Sequence, residues 1–181
     1  MFILLFVSIY NLNAQSKELF TQVDSIVYNG YTLKVVSYCV DDSIANDQPN
    51  LFYPICYKQD IFCIDNNGRT IKCFYKVRTI NERAISGKNY QLLDNIVTEI
   101  GIIKGKRGTA FIVYGYGGCN SCSEIYSIFS LKGDLMYFLY QKGDEEYSNL
   151  GDLNAVAKIY NFDVENYLSG NYSKKRIQLH R

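Results

Sequence analysis

The chain has 181 residues, enough for one domain with a sizeable hydrophobic core. Nineteen Lys and Arg against 18 Asp and Glu leave a net charge of +1, which removes the electrostatic ground for nucleic acid or an acidic membrane surface as partner. Hydrophobic residues make up 48% and charged ones 20%, as in folded proteins, while 17 Tyr, 2 Pro and no Trp lean the composition toward pleated, half-buried surfaces.

Residues 1–15, MFILLFVSIYNLNAQ, read as a secretory signal peptide. Phe2 to Ile9 form a short apolar run, and Asn11 to Ala14 a polar exit ending on a small residue. No Lys or Arg precedes the run, and Leu12 is large for its place before the cut. The competing reading is a buried N-terminal strand. The run is too short to span a bilayer, so no stable membrane insertion is expected after its removal. The mature chain, residues 16–181, then meets an oxidising compartment, periplasmic or extracellular. The Asn-Ala-Gln ending resembles that of exported proteins of Gram-negative bacteria.

The remainder reads as one β-rich domain without linkers. Asp24 to Val40 is a hairpin in which Asn29-Gly30 supplies the two positive-φ positions of a type I′ turn, pairing Val27 with Thr32 and Ile26 with Leu33. Asp41 to Asn50 is a polar loop closed by Pro49. Ile61 to Val77 is a second hairpin around Asn66-Asn67-Gly68. It pairs Asp65 with Arg69 and Cys63 with Ile71, and puts Ile61, Cys63, Ile71, Cys73, Tyr75 and Val77 on one face. Residues 90–103 are ambiguous. Leu92, Leu93, Ile96, Val97 and Ile100 fit a helical stripe, yet Ile96 to Ile103 also suits a strand. Lys104 to Gly108 is a turn with a solvated charged tip.

Ala110 to Tyr116 is a strand followed by Gly117-Gly118. Glu124 to Ser130 and Leu135 to Tyr140 then flank a glycine turn. Ser130-x-x-Gly133-Asp134 repeats the layout of Asp65-x-x-Gly68-Arg69. Asp144-Glu145-Glu146 reads as an acidic loop. Leu150, Leu153, Val156, Ala157 and Tyr160 suit one helical face capped by Asn149 or Asp152. Val164 to Leu168 adds a helical turn ending at Gly170. Lys174-Lys175-Arg176 opens a last strand or, on a sharper reading, a basic phosphate-binding tail.

Six cysteines, Cys39, Cys56, Cys63, Cys73, Cys119 and Cys122, are all disulfide candidates, and six allow about 15 connectivities. Cys63 and Cys73 are diagonal in the hairpin register, a longer separation than a disulfide usually accepts, so pairing with another element is equally open. Cys119-Asn-Ser-Cys122 braces a loop or forms a redox pair. A strand followed by Cys-x-x-Cys resembles the thioredoxin superfamily, in which a helix N-terminus stabilises the first thiolate. The resemblance implies a helix from about Ser121, lined by Ile125, Ile128 and Phe129, an α/β C-terminal half and thiol-disulfide exchange. Against it, no Trp precedes Cys119, no Pro follows Pro54, and only 59 residues follow Cys122. The cysteine spacing does not suit zinc, and no other metal or cofactor is expected.

His180, one residue from the end, is not positioned for a nucleophilic triad, and Gly115-Tyr116-Gly117-Gly118 lacks the spacing and Lys of a phosphate loop. The expected architecture is therefore mainly β: antiparallel hairpins forming a sandwich or bent sheet, with one or two short C-terminal helices. The expected function is an exported, non-enzymatic binding module. It would meet another protein through Tyr-rich strand faces or the loop around Cys119, as immunity or inhibitor proteins do. A thiol oxidoreductase using Cys119 and Cys122 and a structural envelope-associated domain are the alternatives.

Overall fold

Alternating side chains dictate how this chain layers. The computed structural model describes residues 19–40, 55–73, 79–85, 88–93, 95–117, 123–143, 145–177 and 179. Strands β1 (Leu19–Tyr28), β2 (Tyr31–Val40), β3 (Ile55–Ile64) and β4 (Thr70–Cys73) form a four-stranded antiparallel sheet in sequence order. Strands β5 (Thr79–Ile85) and β6 (Lys88–Leu93) pair only with each other. The larger sheet holds β7 (Ile96–Gly105), β8 (Gly108–Tyr116), β9 (Ser123–Ser130), β10 (Leu135–Lys142) and β11 (Glu145–Leu150), with β12 (Ser173–Arg176) on the far side of β7. Helices α1 (Leu153–Tyr160) and α2 (Val164–Leu168) lie between β11 and β12 in the chain.

The six-stranded sheet is covered on its inner face and on part of its outer face. Leu33, Val35, Ile61, Cys63 and Cys73 of the smaller sheet meet Ile100, Ile102, Phe111, Val113, Ile125 and Phe129 in the main core. On the opposite face Ile103, Ala110, Ile112, Ile128 and Tyr137 pack against Val156 of α1 and Tyr167 of α2. Two buried faces explain why Ala110 to Val113 reads as an unbroken apolar run. Burying each large side chain such as Phe111 or Phe129 contributes about 1.5–3 kcal/mol.

One polar residue ties the sheets together. The ladder between β7 and β8 shifts register between Val97 and Glu99. Gln59 on β3 reaches across to this irregularity. Its Oε1 accepts from the Val97 N–H at 2.6 Å, and its Nε2 donates to the Ser37 hydroxyl at 2.8 Å. Buried donors and acceptors must be satisfied, so a bulged strand beneath a second sheet calls for such an amide.

Both early hairpins have the expected registers, Val27 opposite Thr32 and Cys63 opposite Ile71, although β1 begins at Leu19 and β3 at Ile55. The repeated turn layout is also present. Gly68 N–H donates to Asp65 O and Gly133 N–H to Ser130 O, at 2.9 and 3.0 Å. In each turn the side chain of the first residue accepts two further backbone N–H groups, Asn67 and Arg69 on Asp65, Lys132 and Asp134 on Ser130.

One open segment is resolved and several expectations are corrected. Ile96 to Ile103 is strand; its apolar residues face both layers, which is what mimicked a helical stripe. Ser123–Ser130 is also strand, pairing with β8 and β10 along its length, so the α/β thioredoxin-like C-terminal half is overturned. Its β-branched and aromatic residues, Ile125, Tyr126, Ile128 and Phe129, favour a strand packed on both faces, and ladder partners on both sides outweigh local helical spacing. The acidic loop is shorter than expected: Glu145 and Glu146 pair with Lys142 and Gln141. Leu150 ends β11 instead of opening the helix, and Asp152 is the cap, accepting from Asn154 N–H at 2.9 Å. The side chains of Lys106 and Arg107 are exposed as expected. Their backbone N–H groups, however, donate to Asn161 O and Tyr160 O and so cap α1. A Cβ at Gly105 would lie 2.0 Å from Tyr160 O, so only glycine permits this docking.

The signal-peptide segment, the loop from Asp41 to Asn50, Tyr75, Val77, Cys119, Cys122 and His180 lie outside the described residues.

Candidate functional site

The helices cover only part of the outer face of the large sheet. Beyond them, one row of paired residues runs Arg176, Glu99, Tyr114, Tyr126 and Leu139 across β12, β7, β8, β9 and β10. The next row, Tyr116 opposite Glu124, is the last before the connection that carries Cys119 and Cys122. The base of that connection is closed by Gly117 N–H donating to Ser123 O at 2.9 Å. Period-two alternation places Tyr114, Tyr116, Glu124 and Tyr126 on the same face. The Tyr-rich ends of β8 and β9 thus flank, in the chain, the segment that holds Cys119 and Cys122.

Between these rows and the end of α2 lies a cleft of about 220 Å³, walled by Glu99, Tyr114, Tyr126, Tyr167, Tyr172 and Lys174. The Tyr114 and Tyr126 rings are tilted at 50° with centroids 5.0 Å apart, within the range of favourable aromatic pairs. The Tyr126 hydroxyl donates to Glu124 Oε2 at 2.6 Å. Glu99 is held by Lys174 at 3.1 Å and Arg176 at 3.3 Å, and the Lys174 ammonium stands 5.6 Å from the Tyr172 ring centre. Tyr167 is only 4% exposed and its hydroxyl has no hydrogen-bond partner, an arrangement that is costly in a protein interior.

Burial, reinforced by the Glu124 carboxylate, raises both Tyr114 and Tyr126 above the ordinary phenol range. Burial, with Glu99 adding to it, pushes Tyr172 up to about 12. Burial also holds Tyr167 well above its usual value. All four are therefore neutral phenols at physiological pH. They offer ring faces and O–H groups for recognition, and no phenolate nucleophile.

The cysteines divide into three pairs of different standing. Cys39 and Cys56, opposite each other on β2 and β3 and both buried, form a disulfide that closes the connection between the two strands. Cys63 and Cys73 are free and buried, with sulfurs 3.1 Å apart. The thiol of one, not another element, is the neighbour of the other. Cys119 and Cys122 follow β8 and precede β9, so the helix N-terminus implied by the thioredoxin resemblance is replaced by strand from Ser123 onward.

The basic run is not free to hold phosphate. Lys174 and Arg176 pair with Glu99, and Lys175 pairs with Asp24 on β1 at 2.9 Å. Among the described residues no three His, Cys, Asp or Glu side chains converge to hold a metal, and no helix is long and apolar enough to cross a membrane. The cleft escaped sequence reasoning because its walls come from β7, β8, β9, α2 and β12. The one local signal was the crowding of Tyr114, Tyr116 and Tyr126. No protein-family model, curated protein or solved structure matches the chain.

Proposed function

We propose that the chain is an exported, non-enzymatic binding module that acts by protein–protein contact, of the kind used by immunity or inhibitor proteins. The observation that carries this reading is the tyrosine row of Tyr114 and Tyr126. Both rings are half-buried, neutral and fixed on the paired strands β8 and β9. Tyrosines on a rigid scaffold give large contact areas at low cost in side-chain entropy. The Cys39–Cys56 disulfide supports an oxidising location, periplasmic or extracellular.

The test is quantitative cross-linking of the full chain in its native host, comparing wild type with Tyr126→Ala. A stoichiometric protein partner held by wild type and lost from a folded variant supports the module. No stoichiometric partner, or one indifferent to the variant, overturns it. Mass spectrometry of the mature chain from fractionated cells checks export, with a start near Gln15 or Ser16 as the expected result.

A further inference from the structure

We propose that the Tyr114 and Tyr126 side of the cleft, with Glu124 bonded to the Tyr126 hydroxyl beside it, receives a cationic side chain, arginine or lysine, from the protein this module binds. The inference rests on the protein-binding reading above and gives it a chemistry. The chain itself supplies the pattern twice. Lys58 stands 4.7 Å from the Tyr38 ring centre and 2.8 Å from Asp60. Lys174 stands 5.6 Å from the Tyr172 ring centre and 3.1 Å from Glu99. In each case a tyrosine face and a carboxylate share one ammonium, the ring quadrupole adding to the ion pair.

The third such arrangement has the rings and the carboxylate without the cation. Glu124 accepts from the Tyr126 hydroxyl and lies beside Tyr114, and among the described residues no Lys or Arg pairs with it. Tyr167, whose buried hydroxyl has no hydrogen-bond partner, forms part of the wall of the same cleft. Neutral phenols leave the ring faces electron-rich, and with Glu99 already held by Lys174 and Arg176, Glu124 is the carboxylate beside them that favours a cation. A planar guanidinium suits the site especially, since it stacks on a ring while its edge meets a carboxylate.

The probes are three capped tripeptides, acetyl-Gly-Arg-Gly-amide, acetyl-Gly-Lys-Gly-amide and the neutral citrulline analogue, titrated into the mature protein while the Tyr114 and Tyr126 ring resonances are followed. Both cationic peptides are expected to move these resonances with millimolar affinity. The citrulline peptide should bind about fivefold or more weakly. Glu124→Gln, which keeps an acceptor for Tyr126, should bring the arginine peptide down to the citrulline level with an unchanged melting midpoint. Equal binding of arginine and citrulline, an unaffected Glu124→Gln, or no response to any peptide overturns the inference. In cross-linking, a partner retained by Glu124→Gln but lost by Tyr126→Ala overturns the cation and leaves the protein-binding reading standing. Arginine binding by a chain that holds no protein partner overturns that reading and the partner as source.

Discussion

The sulfur atoms of Cys63 and Cys73 lie 3.1 Å apart on the diagonal of the β3–β4 hairpin, in the core between the two sheets. Sharing its proton with Cys73, reinforced by burial, pushes the Cys63 thiol up, so it does not ionise near neutral pH. The same contact pulls Cys73 down, but both thiols are buried in the core, so neither should react with iodoacetamide at pH 7 in the reduced, folded chain, whereas both should react in urea, as read by mass. Bond formation requires about 1 Å of approach, so a mild oxidant should link these two residues to each other, as a non-reducing peptide map would show. Rapid native labelling or mixed pairing with Cys39 or Cys56 would contradict the arrangement.

Cys39 and Cys56 are 17 residues apart in sequence and joined across β2 and β3. The link restricts the unfolded chain as well as bracing the strands. Replacing both with Ala should lower unfolding free energy by about 3 kcal/mol in urea titrations. Loss of less than roughly 1 kcal/mol would mean that the unfolded chain already holds this connection closed.

The two matching turns provide a controlled comparison. Gly68 and Gly133 have φ of +80° and +92°, so either Ala substitution incurs left-handed backbone strain of roughly 1–2 kcal/mol. A Cβ at Gly68 meets nothing within 4 Å, but at Gly133 it would lie 3.1 Å from Cys63 Cβ and 3.4 Å from Cys73 Sγ. Gly133→Ala should therefore destabilise more than Gly68→Ala, by an additional 1 kcal/mol or so for crowding in the core. Equal melting midpoints would show that the turn can lift away from the cysteines.

Asp60 supplies the acid dependence. Burial acts to raise its pKa, but hydrogen bonds from Lys58 and Lys72, at 2.8 and 2.5 Å, prevail and hold it below the ordinary 3.8. A carboxylate depressed on folding stabilises the protein above its unfolded pKa. That contribution should fade as the pH falls from 3.8 through the lower folded value. Asp60→Asn should flatten this part of the stability–pH curve measured by denaturant titration. A slope identical to wild type would assign the acid sensitivity to other groups.

How much of this was legible follows from which forces are local. Asn29-Gly30 fixes its own hairpin, because its φ values of +47° and +81° are the positive pair that the two-residue turn requires. Asp65 and Ser130 announce their turns in the same way, and Asp152 and Asp163 cap α1 and α2. Ile96 to Ile103 was not decidable by periodicity, since a strand buried on both faces has no polar side to reveal its period. The cleft was less legible still. Tyr172 and Tyr114 are brought together by β12 lying beside β7, a pairing of Ser173 with Ile102 that no local propensity encodes.

That last pairing sets the order in which the molecule can be finished. Until Ser173 to Arg176 has been synthesised, β7 presents a bare row of backbone donors and acceptors beside an aromatic face. The same four residues carry the cations that satisfy Glu99 and, through Lys175, reach Asp24 on β1. A nascent chain halted before Ser173 therefore has an adhesive sheet border and two acids without counter-ions. Premature termination should consequently yield aggregates instead of a merely shortened fold.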